Sequence, residues 1–258
     1  MNSTAKPATS STTPLFTLRD AFKVFAGSIL LYAIFSGIFY FLPGTSGILD
    51  GIHPAIRFIF EYAVQFVILF FPLWFFVVSP RRASLKDFAL TPVPLKKVIL
   101  TSLACYLFYI VVSIIILSIL SSFGTNLPGY GTQESYIPLF GSDLSGLLVG
   151  FIFVSILAPF LEEIFFRGFV YRTFAAAWPA WLASAITAVL FAMMHFQFES
   201  IIPLIFLGLL LNYAYQKTGS IWTSMAFHSL NNTLAFGLEV YLYFHPQILD
   251  SIITFLPR

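Results

Sequence analysis

Charged side chains are scarce in this sequence. Only 9% of its 258 residues are Asp, Glu, Lys or Arg, whereas 59% are hydrophobic and 19% are aromatic. Because soluble domains carry about 25% charged residues, this composition excludes an ordinary soluble protein and predicts a polytopic membrane protein. The formal net charge of +2 is too small and scattered for a nucleic-acid-binding surface, so we predict no nucleic-acid partner.

Cysteine is nearly absent, and long polar segments and internal repeats are missing. The single cysteine, Cys105, lies in an apolar run, which excludes an intrachain disulfide framework. Helix packing in lipid must therefore hold the fold together. We predict a cytoplasmic polar leader over residues 1–22 and one transmembrane helical domain over residues 23–258.

Seven apolar runs are about as long as the ~20 residues that a membrane-spanning helix needs. They cover residues 24–42, 55–78, 98–123, 144–175, 180–196, 201–215 and 221–244. The first run is longer than the apolar core of a signal peptide, so we expect it to stay in the protein as a transmembrane helix. A last run, 247–256, is too short to cross alone. The predicted fold is an all-α bundle of seven or eight transmembrane helices.

Basic residues are concentrated in alternate connections between these runs. They are Lys6, Arg19 and Lys23 before the first run, Arg81, Arg82, Lys86, Lys96 and Lys97 after the second, Arg172 at the end of the fourth and Lys217 after the sixth. Short loops rich in Lys and Arg stay in the cytoplasm. We therefore predict a cytoplasmic amino terminus and an outer loop over residues 124–142.

Two glutamates and an arginine, Glu162, Glu163 and Arg167, interrupt the fourth run, in the stretch LAPFLEEIFFRGFVYR (157–172) that ends at Arg172. Helical spacing makes Glu163 and Arg167 neighbours at i, i+4, while Glu162 points roughly 100° away. A lone charge in the membrane costs at least ~2.5–3.5 kcal/mol. These groups therefore form a structural ion pair between helices, or they serve a function; Glu162 has no evident local partner.

Two further polar motifs occur in later runs, FAMMH with Phe191 and His195, and HSLNN with His228 and Asn232. Each alone could be a packing contact, since polar pairs between membrane helices contribute about 0.6 kcal/mol. At ~1.5 Å per residue, Glu162 and His195 lie roughly 20 and 24 Å from the turn that joins their helices, and His228 lies roughly 12 Å from its own turn. With a shift or tilt of the helices, all three can meet inside the membrane.

The three motifs together, EExxxR, FxxxH and HxxxN, resemble those of the CPBP intramembrane proteases, also called the Abi family, which are related to the type II CAAX prenyl endopeptidase. The resemblance covers about residues 149–236 and implies an intramembrane endopeptidase that acts on a membrane-associated protein or peptide. We expect its active site to open toward the cytoplasm. Nothing in the sequence specifies an oligomeric state.

The resemblance implies a role for each motif residue. Glu162 is the predicted general base, and His195 holds the same water and protonates the leaving amine. His228 and Asn232 would donate to the oxyanion of the tetrahedral intermediate. Arg167 would pair with Glu163, and Phe191 would support the site.

Three alternatives stay open at this point. Two histidines and a glutamate can form a catalytic zinc shell, although HExxH is absent and the resemblance favours a mechanism without a cofactor. Buried carboxylates and histidines also relay protons in transporters. Finally, a non-enzymatic immunity or scaffold protein could use the same fold.

Overall fold

The computed structural model describes residues 15–41, 51–123, 127–131 and 133–248. Within those ranges the chain contains helices and loops and no β-strand, which confirms the predicted all-α class. The helices are α1 (Leu18–Phe41), α2 (Pro54–Arg81), α3 (Leu95–Ser122), α4 (Ile137–Phe140), α5 (Leu144–Ala177), α6 (Ala180–Met193), α7 (Ile201–Thr218) and α8 (Ile221–Phe244). Single 3-10 turns lie at Leu85–Phe88 and Phe198–Ser200.

Five of the described helices are long and apolar enough to cross a membrane, namely α1, α2, α3, α5 and α7. This confirms a multi-pass membrane protein. Helix α6 is apolar but shorter. Helix α8 is long, but it carries the polar motif HSLNN of the seventh run. The total of seven or eight spans stays a prediction, as does the division at residue 22. Most of the short run 247–256 lies outside the described residues.

The start of α1 is fastened to the end of α2 by a partly buried ion pair. Asp20 caps the first turn by accepting from the backbone N–H of Thr17 at 2.8 Å. The same carboxylate accepts two bonds from Arg81, at 2.7 and 2.8 Å. Because α1 and α2 are antiparallel, this pair fixes their relative height at the end of the bundle that we predict to be cytoplasmic.

At the opposite end of the bundle, the N-cap residues of α2 and α5 hydrogen-bond to each other. His53 caps α2, where its Nδ1 accepts from the N–H of Ala55, so its Nε2–H donates to Asp143 at 2.6 Å. Asp143 caps α5 by accepting from Gly146 N–H. The Ser145 hydroxyl, the Gly146 N–H and His53 hold the pKa of the Asp143 carboxyl below its usual range. The cap therefore stays ionised, and its stabilising effect is lost only as pH falls through that lowered pKa.

Helix α5 is not a regular α-helix. Its hydrogen bonds widen to the π pattern over Phe153–Leu157 and again over Ile164–Tyr171. The α-helical turn between them, Ala158–Glu163, carries both glutamates. π-Helical segments occur frequently at functional sites, and here they set the direction in which the glutamates point.

Proline accounts for the widening before the glutamates. In the first π segment the N–H of Ala158 donates to the carbonyl of Phe153, five residues back. The next residue, Pro159, has no N–H, so the carbonyl of Val154 lacks the corresponding donor. The side-chain amide of Asn232 on α8 donates to that carbonyl at 3.0 Å. A side chain from a second helix thus stabilises the irregular turn.

Candidate active site

The structure brings Glu162, His195 and His228 together between α5, the end of α6 and α8. Oε2 of Glu162 lies 3.9 Å from Nε2 of His195 and 4.0 Å from Nε2 of His228. These separations are too long for direct hydrogen bonds, and they match a gap bridged by one water or by a substrate atom. Within the described residues, this buried oxygen has no hydrogen-bond partner.

The outer nitrogen of each imidazole is held by a neighbouring group. His195 donates from Nδ1 to the carbonyl of Phe191 at 2.8 Å, because a carbonyl can only accept. His228 donates from Nδ1 to Oε1 of Glu163 at 3.1 Å. Nε2 of each ring is therefore the nitrogen that faces Glu162, where it can accept a hydrogen bond when the ring is neutral and donate one when the ring is protonated.

Glu163 and Arg167 form the ion pair that their spacing predicts. Nη1 of Arg167 donates to Oε1 of Glu163 at 2.8 Å, and both side chains are completely buried. The remaining guanidinium nitrogens donate to Oδ1 of Asn212 at 3.1 Å and to the carbonyl of Gly208 at 3.0 Å. A guanidinium that donates from each of its three nitrogens and is paired with a carboxylate can stay charged in a site of low dielectric constant.

Asn212 is a part of the site that sequence reasoning missed. Its amide donates to the carbonyl of Ser184 on α6 at 2.9 Å, while its oxygen accepts from Arg167 on α5. The side chain thus joins three helices at one height. The available signal was a single asparagine in an otherwise apolar stretch, LGLLLNYAY.

Phe191 packs among the charged and polar groups of the site. Its buried ring lies 4.7 Å from the guanidinium carbon of Arg167, a cation–π contact. Ring centroids of His195 and His228 lie 4.6 and 5.6 Å from it. The phenylalanine four residues before His195 therefore contacts Arg167 and both imidazoles.

Asn232, the fourth predicted catalytic residue, lies on α8 one turn beyond His228. Its amide nitrogen donates one hydrogen to Val154, and its oxygen accepts from Asn231 at 3.3 Å. A primary amide has two N–H groups, and the bond to Val154 uses one of them. The structure thus gives Asn232 a structural contact in addition to its predicted role.

A small cavity of about 30 Å³ opens beside Glu162, between α2 and α5. This volume is large enough to hold a water molecule. Tyr62, Gln65 and Phe66 form its α2 wall. Sequence reasoning did not select Tyr62 or Gln65, which were visible only as two polar residues in an apolar run.

The distances between the site's side chains bear on whether they can bind zinc. Two ligand atoms bound to one tetrahedral zinc at ~2.0–2.1 Å lie about 3.3–3.4 Å apart. The imidazole and carboxylate atoms here are 3.9–4.0 Å apart. Within the described ranges, no group of three or more His, Cys, Asp or Glu residues has the arrangement of a metal site. These side chains are of types that bind zinc, but their nitrogen and oxygen atoms would have to move closer together to bind one ion.

Comparison with known proteins bears on this cluster. Residues 144–234 match the family described as type II CAAX prenyl endopeptidase Rce1-like. This segment contains all seven predicted site residues and confirms the predicted resemblance. The match supports an intramembrane protease of the CAAX type.

One curated relative from Escherichia coli is described as an uncharacterized 24.3 kDa protein. It is 34% identical over 86 residues, which make up 31% of this chain and 40% of that protein. The similarity therefore spans less than half of either chain. No solved structure matches the sequence.

Gly208 gives a test of how closely α6 and α7 must approach to hold the site. A Cβ at this position would lie 3.0 Å from Cα and 3.1 Å from Cβ of Ala188 on α6. Because these atoms belong to the helix backbone and a Cβ, the close contact can be relieved only if α6 moves. Helix α6 positions His195. We expect Gly208→Ala to lower the free energy of unfolding by about 1–3 kcal/mol and to reduce activity, as measured by thermal unfolding and cleavage rate in one detergent.

The matched control for this substitution is Gly237→Ala in α8. Apart from its chain neighbours and the backbone of its own helix, no atom of the described residues lies within 4 Å of a Cβ at this position. Because alanine favours helices more than glycine does, this variant should be as stable as the wild type or slightly more stable. Equal stability of the Gly208 and Gly237 variants would show that the close approach at Gly208 is unimportant.

Proposed function

We propose that this protein is an intramembrane endopeptidase that hydrolyses a peptide bond with a water activated by Glu162. The observation that supports this most directly is the buried Oε2 of Glu162, which lies about 4 Å from Nε2 of both histidines. One water in that gap can hydrogen-bond to all three groups. The family match over residues 144–234 supports the same class of reaction.

In this mechanism Glu162 and His195 act on the water and then on the leaving amine. Glu162 accepts a proton as the water oxygen attacks the scissile carbonyl carbon. The tetrahedral intermediate collapses with cleavage of the C–N bond, and the same proton passes to the amine nitrogen, directly or through Nε2 of His195. The hydrogen bond from Nδ1 of His195 to Phe191 keeps Nε2 turned toward Glu162. Both groups return to their starting protonation states.

His228 and Asn232 would stabilise the oxyanion. Glu163 binds Nδ1–H of His228, so an imidazolium at His228 would present Nε2–H toward the reacting centre. Arg167, through Glu163, fixes the orientation of that ring. Asn232 would add its second amide N–H. Loss of one oxyanion donor typically costs about 2.7–4 kcal/mol of transition-state stabilisation.

A larger cavity, formed in part by helices that also carry the site, suits an apolar part of the substrate. It has a volume of about 540 Å³ and lies between the start of α3, α5 and α8. Its walls include Phe160, two residues before Glu162, and Ser229, next to His228. Pro92 and Val93, from the basic connection, form its rim. We propose that a membrane-associated protein or peptide approaches through it from the cytoplasmic side.

A panel of internally quenched peptides tests this proposal. The full chain in liposomes would be given peptides with apolar segments, each with and without a prenylated cysteine. We expect cleavage of at least one peptide by the wild type and none by Glu162→Gln. A scaffold protein or a proton-coupled transporter would cleave none, and that result would contradict the proposal.

Chelation separates the water-activation mechanism from the zinc mechanism. We expect a strong chelator to leave the cleavage rate within about 2-fold of the untreated rate, since no ion links the two histidines in this mechanism. His228→Gln should retain partial activity, because a glutamine amide can donate to an oxyanion but is a poor zinc ligand. Activity that chelation abolishes and stoichiometric zinc restores would overturn the metal-free mechanism.

A further inference from the structure

Helix α7 carries a buried asparagine that the motifs do not include. Asn212 is completely buried, and its amide binds two other helices. Nδ2 donates to the carbonyl of Ser184 on α6 at 2.9 Å, and Oδ1 accepts from Nε of Arg167 on α5 at 3.1 Å. A carbonyl can only accept and a guanidinium can only donate, so these partners fix which way the amide faces. Asn212 therefore presents its oxygen to Arg167 in a defined position.

The close approach of α6 and α7 holds this amide in place. Gly208 lies about one turn before Asn212, and a Cβ at Gly208 would lie 3.0 Å from Cα of Ala188 on α6. At this separation, Nδ2 of Asn212 reaches both the carbonyl and the hydroxyl of Ser184, at 2.9 and 3.2 Å. The carbonyl of Gly208 accepts from Nη2 of Arg167 at 3.0 Å. Helix α7 thus binds two of the three guanidinium nitrogens.

The ion pair between Arg167 and Glu163 is monodentate as a result. Nη1 of Arg167 donates to Oε1 of Glu163 at 2.8 Å, whereas the buried Oε2 of Glu163 has no hydrogen-bond partner within the described residues. Arginine and carboxylate groups frequently pair through two parallel bonds. Here the guanidinium cannot bring a second nitrogen to Oε2 without leaving an acceptor on α7. In this arrangement Oε1 also accepts from Nδ1–H of His228, at 3.1 Å.

The orientation of the His228 ring therefore depends on how Arg167 is held. If Nε lost its acceptor, the buried guanidinium would turn to bind both oxygens of Glu163, and the carboxylate would turn with it. We propose that Asn212 is a positioning residue for His228. By holding Nε of Arg167, it keeps the pair with Glu163 monodentate. Oε1 of Glu163 then stays where it binds Nδ1–H of His228, and Nε2 of that ring stays turned toward Glu162.

This inference rests on the proposed endopeptidase function, and steady-state kinetics of the full chain in liposomes tests it. The substrate is a peptide from the panel that the wild type cleaves. Asn212→Leu keeps a side chain of similar size without its hydrogen-bonding groups. We expect kcat to fall by about 10-fold or more, because a misdirected donor stabilises the oxyanion less well. KM should stay within about 2-fold of the wild-type value, since this contact is used only in the transition state.

The matched control is Ser102→Ala. It removes another buried hydrogen bond between helices, from the hydroxyl of Ser102 on α3 to the carbonyl of Thr223 on α8 at 3.1 Å. This bond stabilises helix packing but does not involve Arg167 or Glu163. We therefore expect a loss of stability in Ser102→Ala, measured by thermal unfolding, with kcat unchanged.

A double variant shows whether Asn212 acts through His228. Asn212→Leu introduced into His228→Gln should change kcat by less than about 2-fold relative to His228→Gln, since both changes remove one interaction. If Asn212 only joined α6 to α7, its loss would lower kcat by the same factor in both backgrounds. If Asn212→Leu does not fold, Asn212→Ser replaces it in both backgrounds, because the shorter side chain cannot reach Arg167 and Ser184 together.

The Nδ1–H proton of His228 gives a second readout, which does not depend on turnover. The chain has four histidines, so in NMR spectra of protein with isotopically labelled histidine the His228 signal is the one that His228→Gln lacks. A proton in a hydrogen bond to a carboxylate resonates at low field. We expect Asn212→Leu to move this signal to higher field and Ser102→Ala to leave it unchanged.

Two results would overturn the inference while leaving the endopeptidase assignment intact. Wild-type kcat in Asn212→Leu, or an unchanged His228 signal, would show that Asn212 does not position the ring. Equal losses of kcat in the two backgrounds would show that Asn212 does not act through His228. Failure of the wild type to cleave any peptide would instead contradict the endopeptidase function itself, and the His228 signal would still test the positioning of the ring.

Discussion

Replacing Glu162 by glutamine is expected to lower the rate of peptide cleavage by about 10²–10⁴-fold, the usual effect of losing a general base. The amide keeps the size and shape of the side chain but cannot take up the proton of water. Stability should stay near that of the wild type, because Oε2 of Glu162 has no hydrogen-bond partner within the described residues. Cleavage rate and unfolding temperature measured on one preparation test both statements.

The neighbouring glutamate is the control for this prediction. Glu163 is completely buried and bonded to Arg167 and His228, so Glu163→Gln should lower stability, unlike Glu162→Gln. A cleavage rate above about a tenth of the wild-type rate in Glu162→Gln would remove Glu162 as the base. Equal stability losses in the two variants would contradict the different environments of the two carboxylates.

Replacing Arg167 by alanine should have the largest effect on folding. The substitution leaves Glu163 buried without its cation and removes the hydrogen bonds to Asn212 and Gly208. Breaking a buried ion pair on one side costs about 3–5 kcal/mol. We therefore expect a large fall in folded yield and unfolding temperature, measured in the same detergent as the wild type.

A second substitution shows whether the unpaired charge causes this loss. Glu163→Gln introduced into Arg167→Ala removes the charge and should recover part of the lost stability. The control is Arg57→Ala, which breaks an exposed pair with Glu61 at the same spacing and should cost at most ~1 kcal/mol. If the double variant is no more stable than Arg167→Ala, the buried pair is not the source of the effect.

Local spacing made one part of the site predictable from sequence. The pair between Glu163 and Arg167 follows from i, i+4 geometry, which needs no knowledge of other helices. The meeting of Glu162 with His195 followed from equal helix rise on either side of a tight turn. Helix α6 ends at Met193, earlier than the predicted 196, because His195 and Phe196 leave the helical path and Phe196 adopts a positive φ of 54°.

Other contacts were beyond prediction because they join residues far apart in the chain. Asn212 binds Arg167 across 45 positions, and Tyr136 is held by Glu239 across 103. Neither distance can be read from periodicity or spacing. The first π-helical segment of α5 likewise has a donor from another helix, the amide of Asn232. Sequence could place polar residues on helices but could not pair them across the bundle.

Hydrolysis of a peptide bond at Glu162 is the central prediction, and a comparison of membrane-protein termini tests it most directly. Host cells would carry the wild type, Glu162→Gln or the surface control Glu61→Gln, with equal expression confirmed by immunoblot. We expect new amino termini, matched by new carboxyl termini of the same proteins, in cells with the wild type and the Glu61 control, and none with Glu162→Gln. The same set of termini in all three strains would contradict the account.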